Sequence, residues 1–444
     1  MCSTERYRYR VEGQGASQIA ASIETGVREG ALRPGQDLLS VRDLAARLGV
    51  SPSTVATAYR VLRERGLVTT RGRGGTRISL GPPIPVRGPV QVPAGVRNLA
   101  DGNPDPDLLP DLGPALAQLG GKSRLYGEAP NLPRLVELAQ RQFEHEGVPA
   151  DALTVVGGAM EGFERVLGAH LDRGDRIAIE DPGHANLIDL ARALGLEVEP
   201  VPVDEQGPMV DDVERALRRG ARAVTITPRA HNPTGATLSS QRAADLAEVV
   251  QQFPDVVVIE DDHAGRIADA PARTLTGAGL NRWAVVRSVS KALGPDLRLA
   301  VVAGDRTTIA RVEGRRLLGT GWVSSVLQEL VVALWSDPHT DRLLATAQQA
   351  YAERRRALIN ALRERGIAAQ GSSGLNVWVP VAEEQGPTRR LLDLGWAVSA
   401  GQRFRLISPP ALRITSTTLL PKEAERFADD FTRSLRPDHR TRET

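Results

Sequence analysis

Residues 81–97 divide this chain in two. The run Gly81-Pro82-Pro83-Ile84-Pro85, followed by Pro89, Pro93 and Gly95, has no apolar periodicity, and proline holds such backbone semi-extended at about 3 Å per residue. A chain of 444 residues exceeds what one core normally supports, so a connector between two folding units is expected. The predicted units are residues 12–80 and residues 98–440, the second with a smaller C-terminal portion over about 366–435. Charge marks the same division. Residues 1–80 hold thirteen arginines against seven acids, a net of +6, whereas the whole chain carries only +2. A basic head on a mildly acidic body predicts that the head meets a polyanion. No apolar run reaches the length of a membrane span, and the N-terminus lacks an apolar signal core. The expected setting is therefore the cytoplasm, without a membrane partner. The single cysteine, Cys2, excludes an intramolecular disulfide and a multi-cysteine metal site, and no metal is expected.

The head reads as helix, helix, helix, hairpin. Ile19, Ile23 and Val27 recur every four residues within Gln18–Glu29, a helical spacing. Leu32-Arg33-Pro34-Gly35 breaks the chain. Ser40 offers an N-cap with Asp43 at the third helical position, and this second helix stops at Gly49. Ser51-Pro52 opens a third helix that ends at Gly66. Two short strands, Leu67–Thr70 and Thr76–Leu80, flank Arg71-Gly72-Arg73-Gly74-Gly75. That order is the layout of a winged helix-turn-helix. The third helix is expected to turn Val55, Tyr59 and Leu62 inward and to keep Ser53, Thr54, Thr57 and Arg60 outside, within reach of a major groove.

Beyond Asn98, short β runs near residues 155–156, 176–179, 198–201, 223–226, 256–259, 283–287 and 299–302 alternate with helical patterns. This predicts an α/β domain with a mainly parallel sheet, followed by a long amphipathic helix over about 340–364. The chemistry concentrates at Ser288-Val289-Ser290-Lys291, just after a predicted strand. Among 56 basic residues only Lys122, Lys291 and Lys422 are lysines. A lysine amine can form a Schiff base with an aldehyde cofactor, and Ser288, Ser290 and Arg298 can hold a phosphate.

With those residues in view, the body resembles fold-type I pyridoxal-phosphate (PLP) enzymes of the class I/II aminotransferase group. The resemblance runs in order from about Leu99 to Phe431. It passes through Ala100-Asp101-Gly102-Asn103-Pro104, Tyr126-Gly127, Gly157-Gly158-Ala159-Met160, Glu180-Asp181-Pro182-Gly183, Asn232-Pro233-Thr234-Gly235, Glu260-Asp261-Asp262, the Ser-x-Ser-Lys segment and Leu412-Arg413-Ile414. It implies that Lys291 holds PLP and that Asp261 faces the pyridine nitrogen, with Asp262 as the alternative. It further implies that Asn232 bonds the ring hydroxyl. Ala159 and Met160 would offer backbone N–H groups to the phosphate together with Ser288, Ser290 and Arg298. Tyr126 would reach the phosphate of a neighbouring subunit, and Arg413 would clamp an effector or substrate carboxylate. Three positions depart from the pattern. His184 stands where an aromatic usually stacks on the ring, His263 where a tyrosine usually bonds the ring hydroxyl, and Asn131 where glycine is usual.

The head resembles GntR-type winged helices through Leu32-Arg33-Pro34-Gly35, Ser40-Val41-Arg42-Asp43-Leu44-Ala45, Leu48-Gly49-Val50-Ser51, Thr54-Val55, Tyr59, Gly66-Leu67-Val68 and Arg71–Thr76. Leu39 replaces the usual proline. The resemblance implies DNA contacts by Arg42, Ser53, Thr54 and Arg60, and a wing formed by Arg71, Arg73 and Gly74. Joined, the two parts resemble the MocR/GabR-type subfamily of GntR regulators. That implies a transcription regulator that binds a double-stranded operator as a head-to-tail homodimer. Its PLP-bearing body would sense an amino acid or amine, or PLP itself. The alternative is a working aminotransferase that carries a DNA-binding head.

Overall fold

A computed structural model describes residues 9–28, 30–64, 67–70, 75–79, 92–120 and 124–436. The chain separates into two compact units, Met1–Pro89 and Val90–Thr444. In the first, helices Ala16–Arg28, Val41–Leu48 and Pro52–Glu64 precede an antiparallel pair, Val68–Thr70 with Thr76–Ile78. The second helix begins as its sequence dictates: Ser40 Oγ accepts the Asp43 N–H at 3.2 Å. It ends at Gly49, whose φ of 69° is the left-handed conformation that glycine tolerates. Ile19, Ile23, Leu32, Val55, Ala58 and Leu62 are fully buried together, so apolar transfer from water holds the three helices to one another. The segment after the first helix does more than break the chain. Its Leu38 N–H donates to Thr76 O and its Gln36 O accepts from Ile78 N, so it lies along the hairpin as a third edge. Arg71, Arg73 and Gly74, expected to form the wing, lie outside the described residues.

The second unit is built on an eight-stranded sheet. Its strands lie side by side in the order Leu153–Val156, Ala300–Gly304, Trp283–Ser288, Val257–Asp262, Ala221–Ile226, Arg176–Asp181, Glu197–Asp204 and Gly207–Pro208. The central pairings are parallel. Ala300–Gly304 runs against both neighbours, and Gly207–Pro208 runs against the strand beside it. Helices cover both faces, because both faces are apolar. Val258 and Val285 enter one core, and Val257, Ile259, Ala284 and Val286 enter the other.

The long helix spans Pro338–Glu364, with Asp337 accepting the N–H groups of His339 and Thr340 as its cap. Beyond it, strands Asn376–Pro380, Ala411–Thr415 and Ser399–Ala400 form a small antiparallel sheet, backed by helices Gln385–Asp393 and Pro421–Ser434. The connector expected over 81–97 ends earlier than its prolines suggest. Val96 N–H closes a turn onto Pro93 O, and Arg97–Asn98 pairs in parallel with Trp396–Ala397. Leu99 is then buried in the core of the small C-terminal portion. The chain therefore enters this unit through its last-built part. Among the described residues no helix is long and apolar enough to cross a membrane.

Candidate functional site

Parallel strands deliver their carboxyl ends to one rim of the sheet, the usual place for a ligand in open α/β folds. Asp181, Asp262 and Ser288 end their strands there. His184 and His263 follow the first two of these strands, Lys291 lies in the short helix Ser290–Leu293 after the third, and Asn232 lies in the loop after Ala221–Ile226. The Lys291 amine donates to Gly102 O at 2.6 Å. Burial, with some help from the charge of Arg413, pushes its pKa down to about 8. Gly102 is required on two counts. Its φ is +73°, and a Cβ there would lie 3.3 Å from Arg413 Nη2.

Arg413 closes one side of this cleft. Its Nη1 donates to Asn232 Oδ1 at 3.0 Å, its Nη2 to Ala100 O, and its guanidinium lies 4.5 Å from the centre of the Phe404 ring. Burial, followed by the repulsion of Arg403, lowers its pKa to about 10, so it stays charged at neutral pH. Its Nε is buried and has no hydrogen-bond partner among the described residues. Asn232 and Arg413, assigned separate tasks from sequence, are thus in direct contact.

Asp261 and Asp262 are separated by strand alternation. Asp262 faces Arg287, its register partner on the neighbouring strand. It accepts Nε of Arg229 at 2.8 Å and Nε of Arg287 at 2.6 Å. Although burial opposes ionisation, the two guanidiniums hold its carboxyl well below the usual range. Asp261 is turned the other way. It is buried, its Oδ1 has no hydrogen-bond partner among the described residues, and its Oδ2 lies 3.6 Å from His263 Nδ1 and 4.0 Å from His184 Nδ1. His184 is pushed down to about 4, chiefly by burial, and is therefore neutral at physiological pH. A buried carboxylate oxygen left bare is costly unless a donor arrives, so Asp261 has an acceptor to spare whereas Asp262 is already paired with two arginines.

A helix N-terminus and an arginine come together nearby. Helix Ala159–His170 starts after Gly158, whose φ is 101°. The first N–H groups of a helix, here those of Ala159 and Met160, have no intrahelical acceptor. A Cβ at Gly158 would lie 2.8 Å from Arg298 Nη2, so the guanidinium lies close over that bare backbone. Ser288 Oγ accepts the Ser290 N–H at 3.2 Å, and Ser290 Oγ donates to Leu297 O. Tyr126 is 91% exposed and stands edge-on to Trp322, 5.4 Å between ring centres, rather than within the cleft. Asn131 accepts from Arg316 at 2.7 Å and serves the packing under the rim.

Sequence reasoning missed two features of this rim. Asp181 is a latch: its carboxylate accepts the N–H groups of Leu406, Ile407 and Ser408 and the Ser408 hydroxyl, which pins the loop holding Phe404. His231 is buried beside Thr234, with Nδ1 to Oγ1 at 2.7 Å, and stiffens the turn that presents Asn232. Neither has a local pattern, because their partners are remote in sequence or lie inside a motif already read as a turn.

In the head, Arg42, Ser53, Thr57 and Arg60 are exposed and Thr54 half-buried, while Val55, Tyr59 and Leu62 are buried. Ser51 Oγ lies 2.7 Å from Ser53 Oγ and 2.8 Å from Thr54 Oγ1, a hydroxyl cluster at the start of the third helix.

Residues 94–431 match the family model for aminotransferase class I and II, and residues 16–78 the model for bacterial regulatory proteins of the gntR family. The vitamin B6 salvage pathway transcriptional repressor PtsJ of Salmonella typhimurium is 41% identical over 430 residues, covering 96% of this chain and 99% of that one. The pyridoxine biosynthesis transcriptional regulator PdxR of Corynebacterium glutamicum is 31% identical, covering 63% of this chain and 64% of that one. Among solved structures, the α-aminoadipate aminotransferase LysN of Thermus thermophilus superposes with a TM-score of 0.69 at 23% identity. It covers 77% of this chain and 92% of that one. Kynurenine aminotransferase of Pyrococcus horikoshii gives 0.70 at 20% identity, covering 78% and 92%.

Proposed function

The chain belongs to the GntR-type transcription regulators that carry an aminotransferase class I and II body, and from that premise we propose that it reports the supply of PLP to a DNA operator. The observation that carries this reading is the bare, buried Oδ1 of Asp261 in the same cleft as a lysine amine of lowered pKa.

The chemistry of the residues around Lys291 supports this reading. Bound there, PLP supplies an aldehyde that condenses with a primary amine and a pyridine ring that withdraws electrons when protonated. Lys291 provides the amine, and its lowered pKa leaves a useful fraction unprotonated near neutrality. Asp261 would accept the hydrogen on the ring nitrogen and keep it there. Asn232 and His263 would bond the ring hydroxyl, and neutral His184 would cover the ring with an uncharged plane. Ala159, Met160, Ser288, Ser290 and Arg298 would bind the phosphate, because together they supply helix N–H groups, hydroxyls and one cation. Arg413 would bind the carboxylate of an amino-acid effector through its guanidinium. Tyr126, exposed rather than turned inward, suits a homodimer in which it reaches the partner subunit's phosphate. In that homodimer each head would lie over the other subunit's body.

Arg42, Ser53, Thr54 and Arg60, with Arg71, Arg73 and Gly74 of the wing, would contact the duplex, and such a regulator works in the cytoplasm. A relative named as a repressor of vitamin B6 salvage suggests end-product logic. Salvage is superfluous when PLP is plentiful, so PLP-loaded protein should bind its operator more tightly than apo protein. The test compares operator affinity of apo and PLP-loaded protein with no amino acid present. Equal affinities would remove PLP as the signal and leave an amino acid or amine as the effector. A steady-state assay with a panel of amino-acid donors separates sensor from enzyme, and robust turnover would overturn the regulatory reading of the body.

A further inference from the structure

On the face of the sheet opposite Asp261 lies a cavity of about 760 Å³. Arg229 and Arg287, both nearly buried, line it together with Glu146, and Arg141, His145 and Arg266 are also in its wall. Asp269, also at its wall, is held by Arg355. The two buried arginines bond the same two carboxylates. Arg229 uses Nε and Nη2 on Asp262 and Glu146. Arg287 uses the same two atoms on the same two residues, and its guanidinium also stacks 4.1 Å from the Phe143 ring centre. Nη1 of each makes no hydrogen bond among the described residues, and neither is among the buried polar atoms that lack a partner. Both Nη1 groups are therefore open to the cavity.

The two carboxylates in this cluster are not equivalent. Asp262 is 1% exposed and fixed from both sides. Glu146 is 23% exposed and sits at the C-terminal end of helix Pro133–His145, so it can swing into solvent. If it did, two adjacent guanidiniums would face the cavity with only one buried carboxylate behind them. A planar oxyanion is the group that matches such a pair, because guanidinium forks bind carboxylate and phosphate through parallel N–H bonds.

We propose that this cavity is a second ligand site, separate from the Lys291 cleft, for a small carboxylate or phosphate ester that Arg229 and Arg287 bind in place of Glu146. Its position links it to the Lys291 site through one residue: Asp262, which both arginines hold, is the chain neighbour of Asp261. The inference goes beyond the PLP reading, and its test keeps the two apart.

The full chain is loaded with PLP, fixed with borohydride and checked by mass, so that the phosphate cradle is filled and cannot answer for the cavity. It is then titrated by calorimetry, at constant ionic strength, with inorganic phosphate and separately with succinate. Saturable binding is expected for at least one of the two anions. Glu146→Gln should bind it at least about tenfold more tightly, because a competing charge has been removed. Arg229→Gln should lose it. Should Arg229→Gln not fold, Glu146→Gln still decides. No saturable binding by either wild type or Glu146→Gln overturns the proposal, as does equal affinity in the two. If borohydride gives no adduct, the Lys291 reading fails. The same comparison of wild type with Glu146→Gln, made without PLP, then decides the cavity.

Discussion

Lys291 sits where its own positive charge is disfavoured, by burial first and by Arg413 second. With a pKa near 8 its neutral, nucleophilic fraction rises about fivefold between pH 7 and pH 8 and then levels off, where an ordinary lysine would keep rising past pH 10. The rate of PLP incorporation into apo protein, followed by absorbance, should trace that curve. A midpoint near pH 10 would mean that the amine is not held as described. Lys291→Ala should abolish the internal-aldimine absorbance and the borohydride mass adduct while leaving the circular dichroism spectrum intact, since the side-chain hydrogen bond that Lys291 makes among the described residues goes to a backbone carbonyl. An adduct that persists in that variant would place the cofactor on Lys122 or Lys422. The choice between Asp261 and Asp262 shows how far one sequence reaches. Alternation told that only one carboxylate could face the ring. The proposal that it is Asp261 rests on Arg229 and Arg287 holding Asp262, and Arg287 meets Asp262 only through the register of the neighbouring strand.

Elements whose ends are written locally were the legible ones. Ser40 with Asp43, Gly49, and Ser51 with Pro52 mark helix boundaries through hydrogen bonds a few residues long, and the structure places the boundaries there. The pairing of Arg97–Asn98 with Trp396–Ala397 was not legible, because it joins residues some three hundred positions apart and neither strand is long enough to show a period. The same holds for the latch from Asp181 to the loop Leu406–Ser408. The helix Val41–Leu48 supports a prediction of its own. Arg42 is exposed on it, whereas Leu44 and Ala45 are the residues it buries. Arg42→Ala should therefore weaken operator binding, lower the slope of log affinity against log salt by about 1 as one phosphate contact is lost, and leave PLP binding unchanged. An unaltered affinity in a filter-binding or fluorescence titration would move the DNA-facing surface off this helix.

For the molecule as a whole, the question is how a cofactor in one unit changes the affinity of the other. Nothing about proximity is needed to frame the answer. If PLP tightens operator binding by some factor, operator DNA must tighten PLP binding by the same factor, because both describe one thermodynamic cycle. Couplings between sites commonly amount to about 5- to 150-fold, which is large enough to read in both directions. Cofactor affinity should therefore be measured by equilibrium dialysis with saturating operator, with a scrambled duplex of equal length, and with no DNA. The operator is expected to raise PLP affinity by the factor found when DNA affinity is measured with and without PLP. The scrambled duplex should leave it unchanged, since a nonspecific duplex makes no arrangement of the heads preferable to another. Agreement of the two factors would show that the protein has two states that both ligands distinguish. A cofactor affinity indifferent to the operator, beside an operator affinity that responds to PLP, would break the cycle and mean that the DNA response came from a fraction of misfolded apo protein rather than from a switch.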